Sequence, residues 1–262
     1  MTQTRMPAVA GLFYPADPHE LRATVARLLA SAPAVAASAP KAIIVPHAGY
    51  PYSGPVAATA YAYLRPLRGR VTRVVLLGPS HRVGFEGLAL TSAGSYATPL
   101  GDIPVDTAVS RQLMDLPQVQ VFDDAHAREH SLEVHLPFLQ EVLGGFTLVP
   151  LVVGDATAAD VGAVLERLWG GPETLIVISS DLSHYHDYAT AQARDRATSR
   201  AIESLRHEDI GYDDACGRNP VGGLLHVARR RGMTVRTVDL RNSGDTAGTR
   251  DQVVGYGAYV VE

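Results

Sequence analysis

The stretch IIVPH, residues 43–47, is a run of β-forming residues that ends in a histidine, and it sets a pattern for the chain. The pattern returns in VVLLGPSH, residues 74–81, and in LIVISSDLSH, residues 175–184. In an open α/β sheet, side chains just past the carboxyl ends of parallel strands converge on one crevice, where such folds bind ligands. Three imidazoles in one crevice favour a transition-metal site, because neutral imidazole is the commonest protein ligand for these metals.

Strand and helix signals alternate from residue 42 onward. Strands are predicted at Ala42–Pro46, Arg73–Leu77, Gly87–Thr91, Thr147–Val153, Thr174–Ile178, Thr234–Asp239 and Val253–Val260. Helices are predicted at Pro55–Leu64, Asp106–Met114, Leu132–Leu143, Ala158–Leu168, Tyr188–Leu205 and Pro220–Arg230. An earlier helix begins after the N-cap residue Asp17 and ends near Ala30, before an Ala/Ser/Pro-rich surface linker over residues 31–40. The alternation predicts one α/β domain over residues 1–262, with a mostly parallel sheet and helices on both faces.

Composition and charge narrow the class of protein. The 262 residues are 46% hydrophobic and 19% charged, which provides enough apolar surface for a sizeable core. The net charge of -4 argues against a nucleic-acid-binding face, and no apolar segment is long enough to span a bilayer. The first residues lack the apolar stretch of a signal peptide, and a single cysteine fits a reducing compartment. We therefore expect a cytoplasmic protein without nucleic-acid or membrane partners.

The turns after the first two runs hold further candidates. His47 and His81 are either hydrogen-bonded turn residues or metal ligands, and their matching places at strand ends favour shared chemistry. Tyr50 and Tyr52 follow His47 in a segment rich in glycine and proline. Since a tyrosine can line a pocket with an apolar ring and a polar tip, we expect both to bind substrate.

The third run ends in the densest polar cluster of the chain, SSDLSHYHD at 179–187. A carboxylate near an imidazole raises the basicity of the imidazole and fixes its tautomer. This pairing suits either the outer shell of a metal ligand or a general base. We therefore predict catalytic roles for Asp181 and His184, whereas His186 and Asp187 are expected to cap the next helix.

A second cluster of titratable residues, AHAREHSLEVH at 125–135, precedes a predicted helix. Its spacing is not that of the zincin metalloproteases. His130 and Glu133 are three residues apart and would share the mouth of that helix, which makes His130 an acid/base candidate. The alternative is a solvated helix start rich in charges, and we favour it for His126 and His135.

The single cysteine, Cys216, lies in a polar turn before a predicted helix. A thiol near a helix N-terminus and an arginine, here Arg218, is expected to have a lowered pKa. Such a thiol is available as a nucleophile or as a soft metal ligand. The alternative is an inert small hydrophobe, which the polar turn makes less favourable.

Several long segments in fixed order resemble the Memo family, which includes the bacterial and archaeal proteins called AmmeMemoRadiSam system protein B. The matching segments are RMPAVAGLFYP from residue 5, PHAGYPYSGPVA from 46, LLGPSH from 76, EHSLEVHLPFLQ from 129, SSDLSHYHDY from 179, DACGRNPVGGLL from 214 and RNSGDTAG from 241. The resemblance covers nearly the whole chain, and it is therefore far more specific than any single motif.

This resemblance implies a fold like that of the class III extradiol dioxygenases, a mixed α/β sheet flanked by helices. It also implies that His47, His81 and Cys216 hold one transition-metal ion, either iron or copper, with zinc as a further option. Asp181 and His184 match polar residues of the same pocket, with His184 in the place of an acid/base histidine. The dioxygenases use two histidines and a carboxylate, so a thiolate as third ligand is a departure that shifts the preference toward copper(I) or zinc.

Three functions follow from these residues. The first is redox or oxygen chemistry at a His/His/Cys metal site, acting on a small aromatic molecule. The second is metal-assisted hydrolysis, in which the metal lowers the pKa of a bound water. The third is binding of a ligand or peptide without turnover. The first is our leading hypothesis, because the resemblance implies a metal pocket in a dioxygenase-like fold.

Overall fold

Continuous apolar runs form the strands of this α/β structure. The computed structural model describes residues 3–33 and 39–262. Its strands are β1 (Thr4–Arg5), β2 (Ala42–Val45), β3 (Arg73–Pro79), β4 (Leu88–Leu90), β5 (Ser95–Tyr96), β6 (Ile103–Pro104), β7 (Val119–Val121), β8 (Thr147–Val153), β9 (Thr174–Ser179), β10 (His184–His186), β11 (Val235–Asn242) and β12 (Val253–Val261). The central strands are buried on both faces, and this burial explains their uninterrupted apolar sequences.

The main sheet is mixed, with parallel strands at its centre. Its order is β10-β12-β2-β9-β3-β8-β4-β7, and β11 also pairs with β12. β2, β9, β3 and β8 run parallel to one another, whereas β12 is antiparallel to β2 and β4 is antiparallel to β8. A separate small sheet contains β1, β5 and β6. The predicted α/β fold, with a mostly parallel sheet flanked by helices, is therefore confirmed.

Helices cover both faces of the main sheet. They are α1 (Pro18–Ser31), α2 (Tyr50–Ala62), α3 (Thr107–Arg111), α4 (Asp123–Ala127), α5 (Leu136–Leu143), α6 (Ala158–Leu168), α7 (Tyr188–Glu203) and α8 (Arg218–Arg230). Successive strand residues point to opposite faces. Ile43 and Val45 therefore belong to the core shared with α1, α2 and α5, while Ala42 and Ile44 belong to the core shared with α6 and α8.

Helix α2 begins earlier than the sequence predicts. Its first residue is Tyr50 rather than Pro55. Pro51 lies in the first turn, where a missing N–H leaves no helical hydrogen bond unmade, and Pro55 lies inside the helix. The early start places the first turn of α2 immediately after the segment that carries His47.

Two other predicted helices are shorter than expected. The one predicted over Leu132–Leu143 is a 3-10 turn followed by α5, which begins where Pro137 fits the first helical turn. The one predicted over Asp106–Met114 is limited to α3. The predicted surface linker begins later than expected, because Ser31 still belongs to α1, and residues 34–38 of that linker lie outside the described residues.

Three neighbouring parallel strands bring the candidate residues together. β2, β9 and β3 are adjacent in the sheet, so their carboxyl ends lie along the same edge. His47, Asp181 and His81 each follow the last residue of their strand by two positions.

Within residues 3–33 and 39–262, no helix has both the length and the apolar character needed to cross a membrane.

Candidate metal centre

Three potential ligand atoms converge at this edge of the sheet. His47, His81 and Cys216 each offer one ligand atom, and these atoms all lie within 4.8 Å of one another. The distance between His47 Nε2 and Cys216 Sγ is 3.4 Å. Two atoms bound to one tetrahedral ion, at Zn–N and Zn–S bond lengths, are about 3.6 Å apart. The spacing of His47 and Cys216 is therefore that of two ligands of one metal ion, and the three side chains together form a group that could hold one.

The ring of His47 is held in place from its far side. Its Nδ1 lies 2.6 Å from Ser179 Oγ, at the end of β9. Its backbone N–H donates to Asp181 Oδ1 over 2.8 Å. Burial, together with the neighbouring imidazoles, keeps the pKa of His47 well below its usual value, so the ring is neutral and Nε2 can act as a ligand.

His81 is held by a carboxylate. Its Nδ1 lies 2.9 Å from Glu129 Oε1, and its backbone N–H donates to Glu129 Oε2 over 2.6 Å. The backbone N–H groups of His130 and Ser131 also donate to Glu129. Burial alone would raise the pKa of Glu129, but these hydrogen bonds, led by the one from the His81 ring, lower it to about 2. Glu129 is therefore ionised and orients His81, as the outer-shell carboxylate of a metal ligand does.

Cys216 lies between the end of β9 and the start of α8. Its Sγ accepts from the backbone N–H of Asp181 over 3.3 Å. Burial, reinforced by the nearby Asp181 charge, raises the pKa of the thiol, so the expected lowered pKa is wrong for the metal-free chain. The guanidinium of Arg218, which that expectation invoked, lies over the ring of Tyr212. Binding of a metal ion would have to displace the thiol proton.

The two residues predicted from the third run lie beside these ligands. Asp181 is buried, and its Oδ2 is 3.9 Å from His47 Nε2. Burial raises the pKa of Asp181 to about 7. His184 begins β10 and lines the same cavity as His81 and Cys216, and burial lowers its pKa. Asp181 therefore lies next to His47, and His184 shares a cavity wall with His81 and Cys216.

His130 packs directly on the predicted ligands. Its ring stacks on His81 at a centroid distance of 4.6 Å and meets the His47 ring edge-on at 5.4 Å. Phe13 packs against the same ring at 4.8 Å. His130 Nδ1 is buried and lies 3.3 Å from Glu129 Oε1, but it makes no hydrogen bond among the described residues. His81, Glu129 and His130 also form a second group whose ligand atoms lie within 4.8 Å of one another.

A cavity of about 690 Å³ opens beside the centre. Its wall includes His81, His184 and Cys216, together with the rings of Phe85 and Tyr212. Neither of the tyrosines predicted to bind substrate lines this cavity.

Tyr50 and Tyr52 lie elsewhere. Tyr50 is buried, packs against Phe138 and donates from its hydroxyl to the backbone carbonyl of Val134 over 2.8 Å. It is a core residue because α2 begins at this position. Tyr52 is 43% exposed on the outer side of the same turn. The position of Tyr50 therefore gives no support to its predicted role as a substrate contact.

The titratable cluster at residues 125–135 is not a solvated helix start. Glu133 is fully buried, pairs with Arg5, and accepts from the Tyr14 hydroxyl over 2.6 Å. It also accepts from the backbone N–H groups of residues 8 and 9. His126 is buried between the Tyr96 hydroxyl and the carbonyl of Ala89. The interpretation of His126 and His135 as exposed is therefore wrong.

Two orienting residues, Ser179 and Glu129, carried no assigned role in the sequence. Ser179 lies 132 positions from His47, and Glu129 lies 48 positions from His81. The available signal was the position of Ser179, which comes directly after the apolar run of β9 and two residues before Asp181. A polar side chain there must point either into a core or toward the crevice.

Comparison with known proteins places the chain among relatives of similar length. A family model described as Memo-like protein matches residues 5–260. A MEMO1 family protein of Aquifex aeolicus is 37% identical and the match covers 97% of each chain. A MEMO1 family protein of Sulfolobus acidocaldarius is 35% identical over 96% of this chain and 97% of its own. The crystal structure of uncharacterized protein JW3007 from Escherichia coli K12 is similar with a TM-score of 0.49 and 14% identity, over 82% of this chain and 98% of that one.

Proposed function

This chain belongs to the Memo-like protein family, and we propose that it binds one transition-metal ion through His47, His81 and Cys216 for redox or oxygen chemistry. The observation that carries the proposal is the convergence of the three ligand atoms within 4.8 Å. Two further contacts support it, because Ser179 and Glu129 occupy the far nitrogens of the two imidazoles. Both rings therefore present their remaining nitrogen to the same point.

The proposed metal is iron or copper. Two imidazoles and one thiolate form a mixed donor set, in which the thiolate favours copper(I) or zinc over a harder ion. Zinc fits the donors but has no redox chemistry of its own, so iron or copper is required for the proposed reaction class. A redox-active ion supplies one-electron chemistry when it is bound.

The proposed substrate is a small aromatic molecule in the 690 Å³ cavity. Phe85 and Tyr212 line that cavity and offer apolar ring surface beside His81 and Cys216. His184 in the same wall is the proposed base for a substrate hydroxyl, with Asp181 and His130 as the neighbouring acid/base groups. A peptide that bound the metal-free protein tightly would instead favour an interaction module.

Elemental analysis tests the metal proposal. We expect protein purified without added metal, or reconstituted anaerobically with Fe(II), to hold close to one iron or copper ion per chain. A Cys216→Ser variant should change the colour or the absorption spectrum of the bound ion, because a thiolate ligand is lost. Protein that holds no ion under either condition would overturn the proposal.

A substrate panel tests the reaction class. Anaerobic Fe(II) loading, followed by oxygen and a set of catechols, should produce a ring-opened chromophore if the aromatic substrate is a diol. His184→Gln should slow that reaction and leave the metal content unchanged, because His184 is proposed as a base and not as a ligand. If the loaded protein consumes no more oxygen than free Fe(II) does, the proposed oxygen chemistry is wrong.

Metal-assisted hydrolysis is the second candidate. The position of Asp181 favours it, since a buried carboxylate 3.9 Å from His47 Nε2 could take a proton from water at the centre. Zinc supplies an activated water, with a pKa of about 7, when it is bound in such sites. Turnover of an ester, amide or phosphate under strictly anaerobic conditions, lost in Asp181→Asn, would favour hydrolysis over oxygen chemistry.

A further inference from the structure

A single buried hydroxyl joins two imidazoles behind the metal centre. Ser179 Oγ lies 2.6 Å from His47 Nδ1 and 2.9 Å from His135 Nε2. It also lies 2.6 Å from the backbone carbonyl oxygen of Ser131. Ser179 and Ser131 are completely buried, and both histidines are 2% exposed or less. At the Ser179 hydroxyl these groups are therefore hydrogen-bond partners of one another, and all of them are shielded from bulk solvent.

The partners of Ser179 fix the direction of each hydrogen bond. The Ser131 carbonyl can only accept, so the Ser179 hydroxyl donates its one hydrogen there. Ser179 Oγ must then accept from both imidazoles. His47 is consequently the tautomer with hydrogen on Nδ1, and its Nε2 carries a lone pair.

The hydrogen bonds continue from Ser179 into the core through His135 and Tyr61. His135 donates from Nε2 to Ser179, so its Nδ1 is an acceptor. The Tyr61 hydroxyl lies 2.9 Å from that Nδ1 and donates to it. Tyr61 is fully buried, and its ring stacks on Phe138 at 4.8 Å. The chain of donors therefore runs from Tyr61 through His135 to Ser179, where it meets the donor from His47.

We propose that Ser179, His135 and Tyr61 are positioning residues that hold His47 in the one tautomer able to bind metal. This inference rests on the proposed function only in that His47 Nε2 is taken as a ligand atom. In the other tautomer a hydrogen on Nε2 would point at Cys216 Sγ, 3.4 Å away, and no lone pair would be available. Partners of this kind typically change metal affinity 10- to 100-fold.

The protein contains a matched control for the hydrogen-bond chain of Tyr61, His135 and Ser179. His126 is a second buried histidine that accepts a tyrosine hydroxyl at Nδ1, from Tyr96 over 2.6 Å. Its Nε2 donates to the backbone carbonyl of Ala89 over 2.9 Å. The arrangement matches that of Tyr61 and His135, but it ends on a main-chain carbonyl and not on a group that contacts a ligand. Tyr61→Phe and Tyr96→Phe therefore remove the same hydroxyl from the same kind of partner.

The tautomer can be read without any metal. In protein labelled with ¹⁵N-histidine and treated with a chelator, long-range ¹H–¹⁵N correlation spectra distinguish Nδ1–H from Nε2–H rings. We expect His47 as the Nδ1–H form and His135 as the Nε2–H form. Ser179→Ala should abolish the single Nδ1–H form of His47, while Ser179→Thr, which keeps a hydroxyl, should retain it. A wild-type His47 in the Nε2–H form would overturn the inference.

Metal titration completes the test. Competition titrations with Zn(II) and Fe(II) should show 10- to 100-fold weaker binding for Ser179→Ala and a smaller loss, about a few-fold, for Tyr61→Phe. Tyr96→Phe should bind as tightly as the wild type. Equal affinity of the Tyr61→Phe, Ser179→Ala and wild-type proteins would contradict the inference. If the wild type binds no metal, the proposed function fails, and the tautomer spectra still decide whether Ser179 sets the state of His47.

Discussion

Two buried polar clusters in this protein use the same residue types for different ends. The first, here called the anchor cluster, contains Arg5, Tyr14, Tyr96, His126 and Glu133. The second is the candidate metal centre, which contains His47, His81 and Cys216. In the anchor cluster the protein itself occupies both nitrogens of His126 and both oxygens of Glu133. In the candidate metal centre the protein occupies Nδ1 of both histidines, and each histidine also offers a ligand atom to the group that it forms with Cys216.

Burial and residue type do not distinguish a structural histidine from a candidate ligand in this protein. His126 and His47 are both almost fully buried and neutral, and burial lowers the pKa of both. They differ in what the second ring nitrogen meets, which is a carbonyl for His126 and a thiol for His47. Of these two buried imidazoles, the one that belongs to the candidate metal centre is therefore the one whose second nitrogen faces a thiol and not a main-chain carbonyl.

The largest expected effect belongs to the anchor cluster. Glu133→Ala leaves the Arg5 guanidinium buried without its carboxylate, and breaking a buried pair in this way costs about 3–5 kcal/mol of folding stability. Chemical denaturation measures the change. The folded fraction should still bind metal with wild-type affinity, because Glu133 holds the N-terminal segment and contacts no proposed ligand. Loss of metal binding by folded Glu133→Ala would show that the two clusters are not separate.

Unfolding free energies measured over a pH series test whether His126 of the anchor cluster is neutral in the folded protein. Burial is the main cause that lowers the pKa of His126 to about 4, whereas an unfolded histidine titrates near 6.5. The unfolded chain therefore binds one more proton than the folded chain between these values, so the contribution is complete above pH ~6.5 and is lost as the pH falls toward ~4. His126→Gln should reduce the slope of unfolding free energy against pH by about 1.4 kcal/mol per unit in that window.

Denaturation midpoints measured at several pH values check this prediction. Other buried histidines contribute to the wild-type slope, so the quantity of interest is the difference between the two proteins. A wild-type slope in His126→Gln would mean that His126 is not held neutral by its burial. Metal affinity of this variant should stay unchanged at pH 7.

A smaller effect is expected when the centre loses only the charge that orients His81. Glu129→Gln keeps the size of the side chain and removes the negative charge that faces His81 Nδ1. We expect Zn(II) affinity to fall 10- to 100-fold, equivalent to about 1.4–2.7 kcal/mol. Glu141→Gln, which removes the same charge from a surface ion pair with Arg22, should leave affinity unchanged. Equal Zn(II) affinities of these two variants would contradict the role of Glu129 in orienting His81.

Much of the fold could be predicted from the sequence, because the relevant signals are local. The apolar runs before His47, His81 and Asp181 were sufficient to predict three parallel strands, and those strands are neighbours in the sheet. The start of α2 was not predictable from Pro55 alone, since two prolines compete for the first turn of that helix. The burial of residues 125–135 was missed because the Glu133 carboxylate pairs with Arg5 and accepts from the Tyr14 hydroxyl, both more than a hundred positions away.

The electrostatics of the centre could be predicted only in part. The sequence placed Cys216 before a helix and near Arg218, which are general causes of a lowered pKa. The structure shows that burial beside Asp181 outweighs them in the metal-free chain. The roles of Ser179 and Glu129 depend on contacts between distant segments, so no local pattern could assign them.

The most direct test of the candidate metal centre is the number of Zn(II) ions bound per folded chain in the wild type and in matched histidine variants. We predict close to one ion for the wild type and for His126→Ala, and none at micromolar Zn(II) for His47→Ala. Circular dichroism on the same samples confirms that each variant is folded. Full metal retention by His47→Ala and by His81→Ala would contradict the claim that these histidines bind metal and that His126 of the anchor cluster does not.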